Sequence, residues 1–252
     1  MTTAPDYELL MFQRSHFNEK ARWALDWKRI PHRRTPFLPG PHGGPIRKLT
    51  GQTQVPVLVA DGEAIPGSAR IIEALEQRHP EPALYPSDSA ERERALAIQT
   101  HFDDEVGPKI RRAMFSVMVE EPAYLASLFA GHKSAPLRWA YGAVFPLVKA
   151  KMKHEMQIEE PHIGEAFEAT RQAFAFVEKE VGPSGYLVGD RFSIADLTAA
   201  AILAPGVVVD HPDMHKPASP PPAIREFLAR WASLPGAAWV QRMYADHRPG
   251  RA

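Results

Sequence analysis

Beyond about residue 90, no stretch of this chain alternates apolar and polar residues over the length of a strand, whereas the earlier part switches repeatedly between strand and helix patterns. A period of two marks a half-buried strand and a period near 3.6 an amphipathic helix. The chain therefore divides into a mixed first part and an all-helical second part. Between them, the run His79-Pro-Glu-Pro-Ala-Leu-Tyr-Pro86 sets three prolines within seven residues and reads as a linker. The expectation is an α+β protein: a domain over residues 1–80, a linker over 81–88 and a helical-bundle domain over 89–252.

Within the first part, Tyr7-Glu-Leu-Leu-Met-Phe12 reads as a buried strand, and Phe17, Ala21, Ala24 and Leu25 then recur close to helical spacing. His32–Leu38 is a plausible short strand, and the Pro- and Gly-rich stretch 39–45 reads as a loop. The segments 54–60 and 63–65 flank Asp61-Gly62, a strong hairpin signal. Ser68 reads as the N-cap of a helix over 69–77, which gives the order β-α-β-loop-β-β-α. In the second part, helices are expected at 88–119, 122–130, 137–156, 163–181, 194–203 and 223–232, with a Pro-, Asp- and His-rich loop over 207–222.

Composition narrows the function. Hydrophobic residues make up 44% and charged ones 24% of the 252 residues, as in an ordinary globular protein. Lys+Arg and Asp+Glu both number 30, so no basic field points to nucleic acid. The absence of cysteine removes disulfides, cysteine-ligated zinc and a cysteine nucleophile together. The first residues show no secretory pattern, and the longest apolar run, Trp139 to Val148, is far short of the ~20 residues that span a bilayer. The expectation is a cytoplasmic chain without a membrane span.

Three local features carry candidate chemistry. Ser15 sits where the first strand gives way to a helix, so that its hydroxyl and the free N–H groups of the first turn share one region at the positive end of a helix dipole. Simple capping of that helix is one role for it. Donating its O–H to a bound thiolate is another, and the two are compatible. Any thiolate must arrive with a ligand. Pro56 lies inside an apolar run and cannot donate to a ladder, which argues for a strand start, an edge or a special turn. A cis bond would expose the backbone of Val55 to a strand-like ligand, although an ordinary trans bond is the commoner arrangement. Gly67-Ser68 is either a turn and cap alone or a second helix N-terminus able to bind a carboxylate.

In order and spacing these features resemble the glutathione S-transferase superfamily. Ser15-His-Phe-Asn-Glu-Lys-Ala-Arg-Trp-Ala-Leu25 is similar to the segment bearing the catalytic Ser or Cys of the serine- and cysteine-type classes. Gln54-Val-Pro-Val-Leu58 resembles the cis-proline segment, and Gly67-Ser68-Ala-Arg-Ile-Ile72 the segment that holds the γ-glutamyl end of glutathione. Leu187-Val-Gly-Asp-Arg-Phe-Ser193-Ile-Ala-Asp196 matches the family's capping box and hydrophobic staple. The resemblance implies a thioredoxin-like N-terminal domain, a homodimer, glutathione as cosubstrate and no metal. It makes Ser15 catalytic and places Phe17, Val55, Pro56, Gly67 and Ser68 around glutathione. Met114, Phe115 and Met118 would border the site of a hydrophobic electrophile, although their spacing equally suits a core. Two positions depart from the family: Gly67 stands where an acidic residue or Gln is usual, and His16 where proline is common.

The implied activity is attack of a bound, activated glutathione thiolate on that electrophile. The alternatives are a non-catalytic binding or scaffold protein on the same fold, and a transferase or isomerase using another low-molecular-weight thiol. Trp139–Phe145, in an apparent extension over 122–156, could line a pocket or cover an interface, or pack as a helix with a solvated face at Lys149, Lys151 and Lys153. Asp210, His211, Asp213 and His215 are metal-capable, but the prolines among them favour a polar loop, and His154-Glu155 does not extend to a metalloprotease spacing.

Overall fold

A computed structural model of the chain describes residues 6–214 and 219–250; His215 lies outside them. Four strands form one sheet: β1 (Tyr7–Phe12), β2 (Arg33–Phe37), β3 (Val57–Ala60) and β4 (Glu63–Pro66), in the order β2-β1-β3-β4. β1 runs parallel to β2 and antiparallel to β3, which pairs antiparallel with β4. The parallel pair is joined by helix α1 (His16–Trp27), the crossover that parallel strands require. Asp61 and Gly62 both have positive φ, 51° and 87°, as the tight β3–β4 hairpin needs.

Two details of this half differ from the sequence expectation. Residues 43–50 form a helix, α2 (Gly43–Thr50), closed by Gly51 in the left-handed region at φ 76°. The third helix, α3 (Ser68–Arg78), has Gly67 as its N-cap, so Ser68 is its first helical residue and not its cap.

Every regular element among the described residues of the second half is a helix, and no strand occurs among them. The long helix expected over 88–119 is two, α4 (Ser89–His101) and α5 (Gly107–Met118), joined by a π-type turn at Phe102–Val106. Asp88 caps α4 by accepting from the N–H groups of Ala90 and Glu91. Then follow α6 (Pro122–Ala130), α7 (Ala135–Glu155), α8 (His162–Glu180), α9 (Ile194–Leu203), α10 (Pro222–Ala229) and α11 (Pro235–His247). The last was not anticipated. Gly236 is required at its start, because a Cβ there would stand 2.5 Å from the Phe174 carbonyl oxygen.

Helix α9 is buried along its whole length, and the expected capping box forms at its start. Asp196 accepts from the N–H of Ser193 at 3.0 Å and of Leu187 at 2.8 Å, while the Ser193 hydroxyl accepts from the N–H of Ala195 at 3.3 Å. Burial nonetheless holds the Asp196 carboxyl up at about 6. Helix α1 lies between the sheet and α9, which ties the two halves together. The Trp23 indole N–H donates to the His247 carbonyl at 2.8 Å, and its ring lies near Phe192 and Tyr244. Lys28, from just after α1, donates to the carbonyls of His79 and Pro82 in the linker.

Candidate active site

Three chain segments meet at one end of the sheet. β1 ends at Phe12 and turns through Gln13 and Arg14 to Ser15. β3 runs the other way, so its first residue Val57 pairs with Leu10, and Val55-Pro56 arrives beside the end of β1. β4 leaves from the same end, with Pro66 opposite Val57. The Gly67 N–H donates to the Pro56 carbonyl at 2.9 Å and fixes the start of α3 there. Ser15, Val55 and Ser68 are thus gathered across three adjacent strand positions. Two inter-strand gaps of about 4.8 Å make that span roughly 10 Å.

At each of these positions a polar group is left without a partner among the described residues. Ser15 occupies the N-cap position with extended backbone, φ −150° and ψ 131°, and its carbonyl accepts from Glu19 N–H at 2.8 Å. Its hydroxyl makes no capping bond, so the simple capping role does not hold. The Val55–Pro56 bond is cis. Among the described residues, the backbone groups of Val55 make no protein hydrogen bond. Ser68 is 94% buried by residue (6% exposed), yet its hydroxyl is likewise unpaired, and the first N–H groups of α3 lack intrahelical acceptors. Gly67 holds φ 89°, a conformation that glycine adopts readily and other residues resist. No side chain therefore projects from the position usually acidic in the resembling family.

The other expected site residues, Phe17, Met114, Phe115 and Met118, pack into the helical half. Phe17 turns toward the helical half, its ring close over Gly107 and 4.4 Å from that of His16. His16 is fully buried, and burial, reinforced by the charge of Arg111, holds its pKa down at about 3, so the imidazole is neutral. Met114, Phe115 and Met118 are buried in the main core, Phe115 with its ring 6.1 Å from Phe129.

Under α1 lies a charged cluster that the sequence did not signal. Glu19, Arg22 and Asp26 from α1 meet Arg34 of β2, Asp213 from the single 3-10 turn Pro212–Met214 and Arg248 after α11. Arg248 donates to Glu19 at 2.7 Å, to Asp26 at 2.9 Å and to Asp213 at 2.8 Å. Arg34 bonds both Asp213 oxygens, at 3.0 and 2.8 Å, and Asp26 at 2.5 Å. Burial opposes ionisation of Glu19, but Arg248 and Arg22 outweigh it and its pKa falls below the ordinary carboxylate value. Asp213 behaves alike: burial resists its charge, and Arg22, Arg34 and Arg248 prevail. The cluster also holds the loop that bears Ser15, since Arg22 donates to the Gln13 carbonyl at 3.1 Å and Arg14 to the Asp213 carbonyl at 3.1 Å.

Asp213 is thus engaged by arginines, and the His211 ring accepts from the Asp213 N–H and faces the Pro249 carbonyl, each at 3.3 Å. A cavity of about 330 Å³ opens beside this turn, lined by Met11, Gln13, Arg34, Pro36, His211 and Asp213 among others. Arg14, on the other side of Gln13, makes one hydrogen bond, and burial and Arg22 depress its pKa. Tyr124 lies within its electrostatic reach and has a buried hydroxyl without a partner.

A sheet of this order, a serine at the first strand-to-helix switch, a cis-proline at the sheet end and a helical second half define a thioredoxin-like domain joined to an all-helical one. The family described as "Glutathione S-transferase, N-terminal domain" matches residues 9–83, and "Glutathione S-transferase, C-terminal domain" matches residues 134–235. The chain belongs to the glutathione S-transferase superfamily. It is similar to the maleylacetoacetate isomerase of Pseudomonas aeruginosa, 26% identical over 196 residues that cover 75% of this chain and 76% of that protein. The fold resembles that of the beta-etherase LigF from Sphingobium sp. strain SYK-6, with a TM-score of 0.60 at 19% identity over 94% of this chain and 98% of that one. A glutathione S-transferase from Rhodospirillum rubrum F11 gives 0.57 at 22% identity over 97% and 96%.

Proposed function

We propose that this chain is a glutathione-dependent enzyme and that Ser15 activates the bound thiol. The observation that carries the reading is the row of unpartnered polar groups at one end of the sheet: the Ser15 hydroxyl, the Val55 backbone and the start of α3 at Ser68. Their span of roughly 10 Å matches an extended tripeptide at ~3.3 Å per residue. Val55 would pair with the central residue as an added strand does. The Ser68 hydroxyl and the first N–H groups of α3 would take the carboxylate at one end. Gly67 offers nothing to the ligand's amino group, so affinity rests on the backbone and the two hydroxyls. When bound, glutathione supplies a sulfur nucleophile for an electrophilic carbon.

The part played by Ser15 is electrostatic. A hydrogen bond from its O–H to a thiolate is worth on the order of 1.5–3 kcal/mol, or one to two pKa units, enough to ionise much of an ordinary thiol near neutrality. Similarity to a maleylacetoacetate isomerase favours a thiol-dependent isomerisation over release of a conjugate. Arg14, next to Ser15 and singly bonded, supports the same reading as a partner for an anionic substrate. We also infer a homodimer, as the family resemblance implies.

Calorimetric titration with glutathione, paired with ultraviolet detection of the bound thiolate in wild type and Ser15→Ala, tests the proposal. Saturable binding is expected, with a lowered thiol pKa that returns toward its free value in the variant. Absence of binding at millimolar glutathione contradicts the reading and leaves a scaffold role or another thiol.

A further inference from the structure

Helix α7 has two apolar faces, and the protein covers one. Tyr141, Phe145 and Met152 are buried, and the Tyr141 hydroxyl donates to the Pro39 carbonyl at 3.0 Å. Just before the helix, Lys133 donates to the Pro36 carbonyl of β2 at 2.6 Å, so this face sits against the end of β2 and the loop after it. On the opposite side, Trp139 is 80% exposed and Leu147 75%. Ala143, Pro146 and Ala150 are exposed beside them. At about 100° per residue these five fall within an arc of about 100° opposite the buried stripe. A surface helix ordinarily turns polar residues to that side. Here the run Trp139–Val148 contains no charged residue at all.

The charges flank the exposed apolar arc. Arg138, Lys149 and Lys153 fall along one border and Lys151 along the other, against one acid on the helix itself, Glu155, and Glu120 beside it. Lys151 pairs with Glu155 at 2.6 Å, and Lys153 lies 3.5 Å from Glu120. The chain as a whole is balanced at 30 basic and 30 acidic residues, so this excess is local. A second copy would bring the same cations against it, and like charges disfavour that pairing. The face is the convex surface of a single helix, to which a headgroup layer conforms.

We propose that α7 is a bilayer-docking helix that lies in the plane of an anionic lipid surface. Trp139, Pro146 and Leu147 enter between the headgroups, while Arg138, Lys149, Lys151 and Lys153 reach the lipid phosphates along both borders. Contact is peripheral, since no helix among the described residues is long and apolar enough to cross a membrane. The proposal does not depend on glutathione binding.

The test is co-sedimentation of the full chain with vesicles of phosphatidylcholine alone or with about one third phosphatidylserine. Binding is expected to the mixed vesicles only, to weaken as salt rises, and to shift the tryptophan emission, a shift that Trp139→Phe abolishes. The triple variant Lys149→Glu, Lys151→Glu, Lys153→Glu should lose about 100-fold or more in partitioning. Trp139→Ser with Leu147→Ser should lose about tenfold or more. Both should keep the wild-type circular dichroism, because the altered side chains lie at the surface, and the triple variant should lose no more stability than its two exposed ion pairs carry, which is little in solvent. Equal binding to both vesicle types overturns the proposal, as does no binding to either. A change of oligomeric state in Trp139→Ser/Leu147→Ser, with no vesicle binding by wild type, assigns the face to a second copy instead.

Discussion

Two polar regions adjoin the same helix and are built on opposite principles. Beneath α1, six charged side chains satisfy one another: Glu19, Asp26 and Asp213 face Arg22, Arg34 and Arg248, and every carboxylate accepts from at least one guanidinium. At the N-terminal end of α1, Ser15 leaves its hydroxyl free, and the backbone of Val55 and the start of α3 are open beside it. A buried charge without a partner is costly, so the first region is closed by necessity. The second is affordable because it borders solvent, where a ligand can replace water. The comparison teaches that unspent hydrogen-bonding capacity, rather than density of charge, marks the candidate site.

The largest effect should come from opening the closed region. Arg248→Met leaves Glu19, Asp26 and Asp213 each one guanidinium short and should cost about 3–5 kcal/mol in denaturant unfolding. A loss below about 1 kcal/mol would show that water already shares the cluster. Acid should act in the same place. Glu19 and Asp213 have lowered pKa values in the fold, so their contribution is complete above the unfolded values near 4 and disappears as pH falls through the lower folded ones. Asp213→Asn should therefore be less stable than wild type at neutral pH yet lose less between about pH 4 and 2. Urea midpoints across that range check it, and parallel curves would remove Asp213 from the account. Ser193→Ala, which deletes one arm of the α9 capping box, should cost about 1 kcal/mol. Ser15→Ala should be the mildest, within about 0.5 kcal/mol, because its hydroxyl supports nothing in the fold. A larger loss would erase the contrast between the two regions.

What the sequence disclosed follows the range of the interactions involved. The β1–α1 switch, the Asp61-Gly62 hairpin and the Ser193–Asp196 box are written within a few neighbouring residues, and all three formed as expected. The helix 43–50 was hidden by its opening Gly43-Gly44-Pro45, which reads as a turn. The π-type turn at 102–106 was hidden because helical spacing continues through it. Helix α11 was missed although Pro235 is a good first helical residue, because Gly236 reads as a breaker until Phe174 is seen packed against it. The Arg248 cluster joins residues more than 200 positions apart, such as Glu19 and Arg248, and no local pattern announces it. At the candidate site, residue types were legible, whereas the free state of the Ser15 hydroxyl was not, since a capping and a non-capping serine read alike.

The most direct measurement is an amide NMR titration of the full chain with glutathione. The account predicts saturable shifts concentrated at Ser15, Val55 and Ser68–Arg70, with the amides around Glu19, Asp26 and Arg248 little changed. Shifts centred on the closed cluster or on the cavity beside His211, or none at all, would contradict it.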